Sequence, residues 1–112
     1  MISGLPRIAI AMTAAEYLVA VDTFRTVFGM HVNDMSDRTV PELGAHVGMC
    51  QPLGGSNVEL MAPSDPDAPL SLALNRFLDR RGTGLYALML EADDPNAEAD
   101  ELALRGMNVL PL

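Results

Sequence analysis

The chain has 112 residues, a length that suits one domain with a single core. Its hydrophobic fraction of 49% argues against intrinsic disorder. The formal net charge of −8 argues against nucleic acid and anionic membrane as partners, since both attract clustered Lys and Arg. Cys50 is the only cysteine and the N-terminus lacks a signal-peptide pattern, so we expect a cytoplasmic protein.

The first half of the chain predicts a β-α-β-β-β unit. Arg7–Met12 is a short apolar strand, and Thr13 and Glu16 have the spacing of a capping box that begins a helix. Gly29 ends this helix. The following positions recur at helical spacing and are expected to face a sheet: Tyr17, Val21, Phe24 and Phe28.

Three further strands follow this helix in the prediction. A short extended segment begins at Met30, with turn residues at Asp34, Ser36 and Asp37. The turns at 41–44 and 52–55 bracket a strand over 45–51, and a second strand covers 56–62. The short connection with two glycines predicts that these two strands form a hairpin.

The second half of the chain repeats the start of this pattern. Proline-rich residues 63–69 predict a linker, and 70–81 predicts a short amphipathic helix that ends at Gly82. A strand then opens at Leu85, and Asp94-Pro95 begins another helix. Gly106 stops that helix, and a new strand is expected from Met107. The repetition of strand, helix, glycine and strand indicates an internal repeat.

Five segments, at 24–30, 41–44, 55–63, 77–85 and 91–94, occur in an order and at an approximate spacing that are found together in one known family. They resemble the vicinal oxygen chelate superfamily, which includes glyoxalases, bleomycin-resistance proteins and extradiol dioxygenases. Within it the resemblance is strongest to methylmalonyl-CoA epimerases. The resemblance implies an α+β fold of paired βαβββ modules, the second incomplete at its C-terminus. Module one would cover about 5–63, a linker and short helix 64–82, and partial module two 83–112.

The resemblance also implies a metal site, and this chain departs from it. The first histidine position of the family is Arg7, and the second is Ala87, preceded by Tyr86. Glu59 matches the third ligand, while the fourth would lie beyond Leu112. A further acid-base glutamate of the epimerases aligns with Val47. An arginine repels a cation and one carboxylate cannot hold it, so we expect no divalent metal or other cofactor.

Arg7, Glu59 and Tyr86 are therefore the candidate ligand-binding residues, without an assigned catalytic residue. An Arg7–Glu59 pair could bind a carboxylate or a carbonyl oxygen, or could be a structural ion pair that fills a vestigial cavity. The Tyr86 hydroxyl could donate to a ligand oxygen or simply pack. Met49, Met61 and Met89 are assigned to the core.

Three functions remain open at this point. The first is a small-molecule binding protein or non-metal enzyme, an isomerase or lyase if catalytic, for an organic acid or acyl thioester. The second is an inactive sequestering or interaction subunit. The third is a metal-dependent epimerase or lactoylglutathione lyase-like enzyme with ligands from His31 or His46; His46 and Cys50 are expected on one strand face. An unpaired sheet edge in module two predicts a homodimer.

Overall fold

A computed structural model describes residues 1–36 and 44–109. It is an α+β fold with one five-stranded sheet in the order β2-β3-β4-β1-β5. No helix in these ranges is long and apolar enough to cross a membrane. The elements are β1 (Ile2–Ala11), α1 (Ala14–Asp22), β2 (His31–Asp34), β3 (Ala45–Gln51), β4 (Asn57–Pro63), α2 (Pro69–Arg81), β5 (Gly84–Ala92) and α3 (Pro95–Leu104).

The β-α-β-β-β order of the first unit is as predicted. β3 and β4 form the expected antiparallel hairpin. After α1, β2 and β3, the chain returns to β1, and β4 pairs with it in parallel. Strand β1 is longer than the predicted 7–12, because its first half pairs with the end of β5. The turn expected at 41–44 lies largely outside the described residues, as does Asp37.

Helix α1 begins as predicted but its last turn differs. The Thr13 hydroxyl accepts from the Glu16 amide, and the Glu16 carboxylate accepts from the Thr13 amide. A π-helical turn, Thr23–Val27, then adds a residue to the repeat, and the Phe28 amide donates to the Thr23 carbonyl. This turn rotates Phe28 away from the sheet, so it is exposed and the prediction that it faces the core was wrong.

The sheet carries one helix layer on each face of its first unit. Helix α1 packs on a cluster that includes Tyr17, Cys50 and Leu60. Helix α2 covers the opposite face through Leu74, which contacts a cluster containing Ala9 and Met61. Alternation along the strands therefore decides which polar side chains lie beneath α1 and which lie beside α2.

The second unit consists of β5 and α3 in the described chain. The Asp94 side chain accepts from the Ala97 amide, which confirms the predicted N-cap. Pro69 begins α2 rather than ending a linker, because the first helical position requires no amide hydrogen bond. Residues 107–109 belong to no strand, so the strand expected from Met107 was wrong over the described residues.

A polar network lies beneath α1 and constrains one glycine. The Tyr17 hydroxyl donates to Asp34 Oδ1 at 2.9 Å, and its ring stacks on His46 with centroids 5.2 Å apart. Burial raises the pKa of Tyr17 to about 12. The ring passes directly over Gly48, where an added Cβ would lie 2.8 Å from the Tyr17 hydroxyl oxygen.

We therefore expect Gly48→Ala to destabilise the protein by about 1–3 kcal/mol, since the buried and hydrogen-bonded Tyr17 cannot move aside without loss. Urea unfolding would measure the change as a lower midpoint at constant slope. Gly54→Ala is the matched control, because nothing lies within 4 Å of its added Cβ. Equal midpoints for the two variants would contradict the packing described for Tyr17.

Candidate functional site

Arg7 and Glu59 meet on neighbouring parallel strands, on the face of the sheet that α2 covers. Arg7 Nη1 lies 3.4 Å from Glu59 Oε2. Glu59 is buried, with 9% of its side chain exposed, whereas 44% of the Arg7 side chain reaches solvent. The predicted pair therefore exists, but only its carboxylate is buried. The guanidinium keeps donors that point away from Glu59 and could bind an anion.

Two methionines flank this pair along the sheet. Met49 is the β3 partner of Glu59, and Met89 is the β5 partner of Arg7. Met49 is buried, as predicted, while Met89 is half-buried. The side chain next to Arg7 on β5 is thus that of Met89, which is unbranched, polarizable and apolar. Such a side chain suits contact with the hydrocarbon part of a ligand.

Tyr86 lies in a bulge of β5 and faces α2. Ala9 pairs with Ala87 and Ile10 pairs with Leu85, so Tyr86 has no partner on β1. Its ring packs edge to face on Phe77, with centroids 5.2 Å apart. The structure therefore brings Arg7 and Glu59 together but places Tyr86 against α2, and a contact between its hydroxyl and a ligand remains a prediction.

The histidines and the cysteine do not join this pair. His46 stacks on Tyr17 beneath α1, the face opposite Glu59. His31 is exposed on the edge strand β2, two strand spacings (about 10 Å) from β4. Cys50 shares the α1 face with His46, as the alternation predicted, and burial raises the pKa of its thiol to about 11.

The donors near Glu59 do not fit the metal site that the sequence resemblance implies. Within residues 1–36 and 44–109 there is no group of three His, Cys, Asp or Glu side chains able to hold a metal ion. The cation nearest to the Glu59 carboxylate is the Arg7 guanidinium, which would repel a divalent metal. Val47, at the position of a second acid-base group, is buried among apolar side chains.

A contact between the two units was not anticipated from the sequence. The Thr83 hydroxyl donates to Glu16 Oε1 at 2.6 Å, and this bond is the main reason that the pKa of Glu16 is lowered. Glu16 thereby caps α1 and ties its first turn to the start of β5. The capping-box pattern predicts only that Glu16 caps α1. The bond to Thr83 depends on the tertiary arrangement of the strands and has no signal in the sequence.

The fold and the sequence place the chain in a family. Residues 10–111 match the family model described as the glyoxalase/bleomycin resistance protein/dioxygenase superfamily. The chain belongs to this superfamily, as the sequence pattern predicted. No curated protein matches the chain by sequence.

Solved structures with the same fold include methylmalonyl-CoA epimerases. The enzyme from Streptomyces coelicolor, in complex with 2-nitronate-propionyl-CoA, superposes with a TM-score of 0.69 at 20% identity over 99% of this chain and 75% of that chain. The Mycobacterium tuberculosis epimerase has a TM-score of 0.65 at 25% identity over 94% of this chain and 65% of its own. A hypothetical protein from Bacillus halodurans has a TM-score of 0.69 at 20% identity, covering 91% and 67%.

A double-mutant cycle tests whether Arg7 and Glu59 interact. Arg7→Met leaves the buried carboxylate without its partner, and we expect a loss of about 1–3 kcal/mol, between the values for buried and surface pairs. Arg7→Met combined with Glu59→Gln should cost less than the sum of the single changes. Urea unfolding of the four proteins gives the coupling, and strict additivity would show that the two side chains do not interact.

Proposed function

We propose that this chain is a small-molecule binding protein of the superfamily, that it binds an organic acid or an acyl thioester, and that it does so without a metal. The observation that carries the proposal is the Arg7–Glu59 pair, with its carboxylate buried and its guanidinium half exposed. A buried glutamate holds the arginine in place from beneath, and the outward donors remain available to a carboxylate or carbonyl oxygen.

The apolar flank supports the choice of ligand class. Met89 lies beside Arg7 on the next strand and is half-buried, so a ligand held by its oxygen at Arg7 would lay its hydrocarbon part over this side chain. The epimerase neighbours include a complex with methylmalonyl-CoA, a molecule with both a carboxylate and a thioester. We take this compound as the first probe. The proposal includes a reducing, cytoplasmic setting, since Cys50 is a free and buried thiol.

Val47, buried at the position that aligns with the epimerases' acid-base glutamate, favours sequestration over turnover. Proton transfer at a carbon beside a thioester requires a carboxylate within hydrogen-bond reach of that carbon and an electrophile for the enolate. Glu59 is the one candidate carboxylate of the motif, and it is engaged with Arg7; Val47 occupies the other position. An inactive subunit that retains its ligand is therefore the second candidate function, and it is favoured over a non-metal enzyme.

Binding can be tested directly with succinate and methylmalonyl-CoA. We expect both to raise the melting temperature of the wild-type protein and Arg7→Met to weaken binding about 10- to 100-fold, the range for a lost charge-assisted hydrogen bond. Isothermal titration would measure the dissociation constants. Arg105→Met removes the same charge from an exposed ion pair with Glu101 at the end of α3 and should leave binding unchanged.

Equal weakening by Arg7→Met and Arg105→Met would indicate a general charge effect and would contradict the site. A wild-type protein that binds neither probe would contradict the ligand class. A turnover assay separates a sequestering protein from an enzyme. Mass spectrometry would measure the exchange of the methylmalonyl-CoA α-proton for deuterium. This exchange should be absent for a sequestering protein and present for an enzyme.

Metal binding provides an independent test. Titration with zinc, cobalt, nickel and manganese should show no stoichiometric binding, because one carboxylate beside a guanidinium is an inadequate donor set. Elemental analysis of the purified protein checks the same point. Stoichiometric metal that is lost in Glu59→Ala would contradict the proposal and would restore the metal-dependent epimerase as the better function.

A further inference from the structure

A cavity with mostly apolar walls lies along α1, away from Arg7 and Glu59. Its volume of about 640 Å³ is within the range of small-molecule pockets. Met12, Val19 and Ala20 belong to its walls. Met12 and Ala20 are part of the cluster beneath α1, whereas Glu59 lies on the face of the sheet that α2 covers. The cavity is therefore separate from the site described above.

The π-helical turn Thr23–Val27 forms one end of this cavity. Phe28 follows the turn and meets Phe24 edge to face, with ring centroids 5.1 Å apart. Both rings line the cavity, and 56% of Phe28 remains exposed. π-helical turns are rare and occur frequently at functional sites. The turn thus supplies an aromatic surface to the cavity from a residue whose spacing directed it to the core.

The other end of the cavity holds a carboxylate. Among the described residues, Glu16 is the only charged one that lines the cavity. Its Oε1 accepts from the Thr83 hydroxyl at 2.6 Å and from the Thr13 amide at 3.0 Å, and these two bonds orient the group. Oε2 has no hydrogen bond within the described chain, so it can accept one from a ligand.

The distance between the two ends defines the ligand. Eight residues separate Glu16 from Phe24, which corresponds to about 12 Å along a helix. We propose that this cavity binds a small organic cation in which an ammonium group is joined to an aromatic or apolar group about 12 Å away. The ammonium donates to Glu16 Oε2, while the apolar part covers Val19 and contacts the two phenylalanine rings.

Charge complementarity favours a cation over an organic acid in this cavity. Its described lining contains one carboxylate and no basic side chain, so an anionic ligand would be repelled without compensation. The net charge of −8 also attracts cations to the protein as a whole. The preference is thus the reverse of that expected at Arg7, and neither site depends on the other.

Fluorescence titration with dansylcadaverine tests the proposal, because this probe joins a primary ammonium to an aromatic ring system through a five-carbon chain. The matched probe is N-pentyl dansylamide, which has the same chain and rings without the ammonium. We expect the wild-type protein to bind the ammonium probe about tenfold more tightly than the neutral one. Equal affinities for the two probes, or binding of neither, would overturn the proposal.

Glu16→Gln tests the role of the carboxylate. Glutamine keeps an acceptor for Thr83 and for the Thr13 amide, so the helix cap is retained while the charge is removed. The preference for the ammonium probe should fall to about twofold or less. Asp22→Asn makes the same change at an exposed position of α1 outside the cavity and should keep the preference. Identical effects of the two changes, with both variants folded by circular dichroism, would contradict the assignment.

Phe28→Ala tests the aromatic end and should weaken binding of dansylcadaverine about fivefold. Leu18→Ala is its control, since Leu18 is exposed on α1 outside the cavity. If sedimentation equilibrium instead shows self-association that Phe28→Ala abolishes, and the probe does not bind, a second copy occupies the surface and the proposal is wrong. Arg7→Met should leave dansylcadaverine binding unchanged, so failure here is distinguishable from failure of the function proposed above.

Discussion

Strand β1 holds the two units together, because among the described strands it is the one that is hydrogen-bonded to a strand of each unit. It pairs in parallel with β4, which the α1 crossover makes possible, and antiparallel with β5. Ala9 and Ala11 are completely buried in it, and their small side chains let α2 lie close to the sheet. The alternation that buries these alanines also presents Arg7 on the α2 face, next to Glu59.

The Arg7–Glu59 pair follows from the cost of burying charge. A carboxylate as buried as Glu59 is strongly destabilising without a compensating cation or hydrogen bonds. A metal with several ligands can supply that compensation, and so can one guanidinium on the neighbouring strand. The two solutions exclude each other electrostatically. An arginine on the neighbouring strand therefore compensates the buried carboxylate, and it leaves a cationic group partly exposed to solvent.

Much of the fold could be predicted from the sequence because its local signals agree with one another. The capping box at Thr13, the N-cap at Asp94 and the hairpin around Gly55 all depend on short-range chemistry. The misses have tertiary causes. Phe28 leaves the core because of a π-helical turn, which has no spacing signature in the sequence. The bulge of β5 at Tyr86 has no such signature either, so the packing of this side chain against α2 could not be predicted. The close approach of the Tyr17 ring to Gly48 was not predicted, because it depends on how α1 lies on the sheet.

Strand β5 links the candidate site to the open edge of the sheet. One side of the strand pairs with β1 and sets Met89 beside Arg7, while the other side has no partner strand in the described chain. Any partner that pairs with this edge becomes a neighbour of the ligand surface. The candidate ligand surface beside Arg7 therefore lies at the boundary of the described sheet, and Met89 belongs to both.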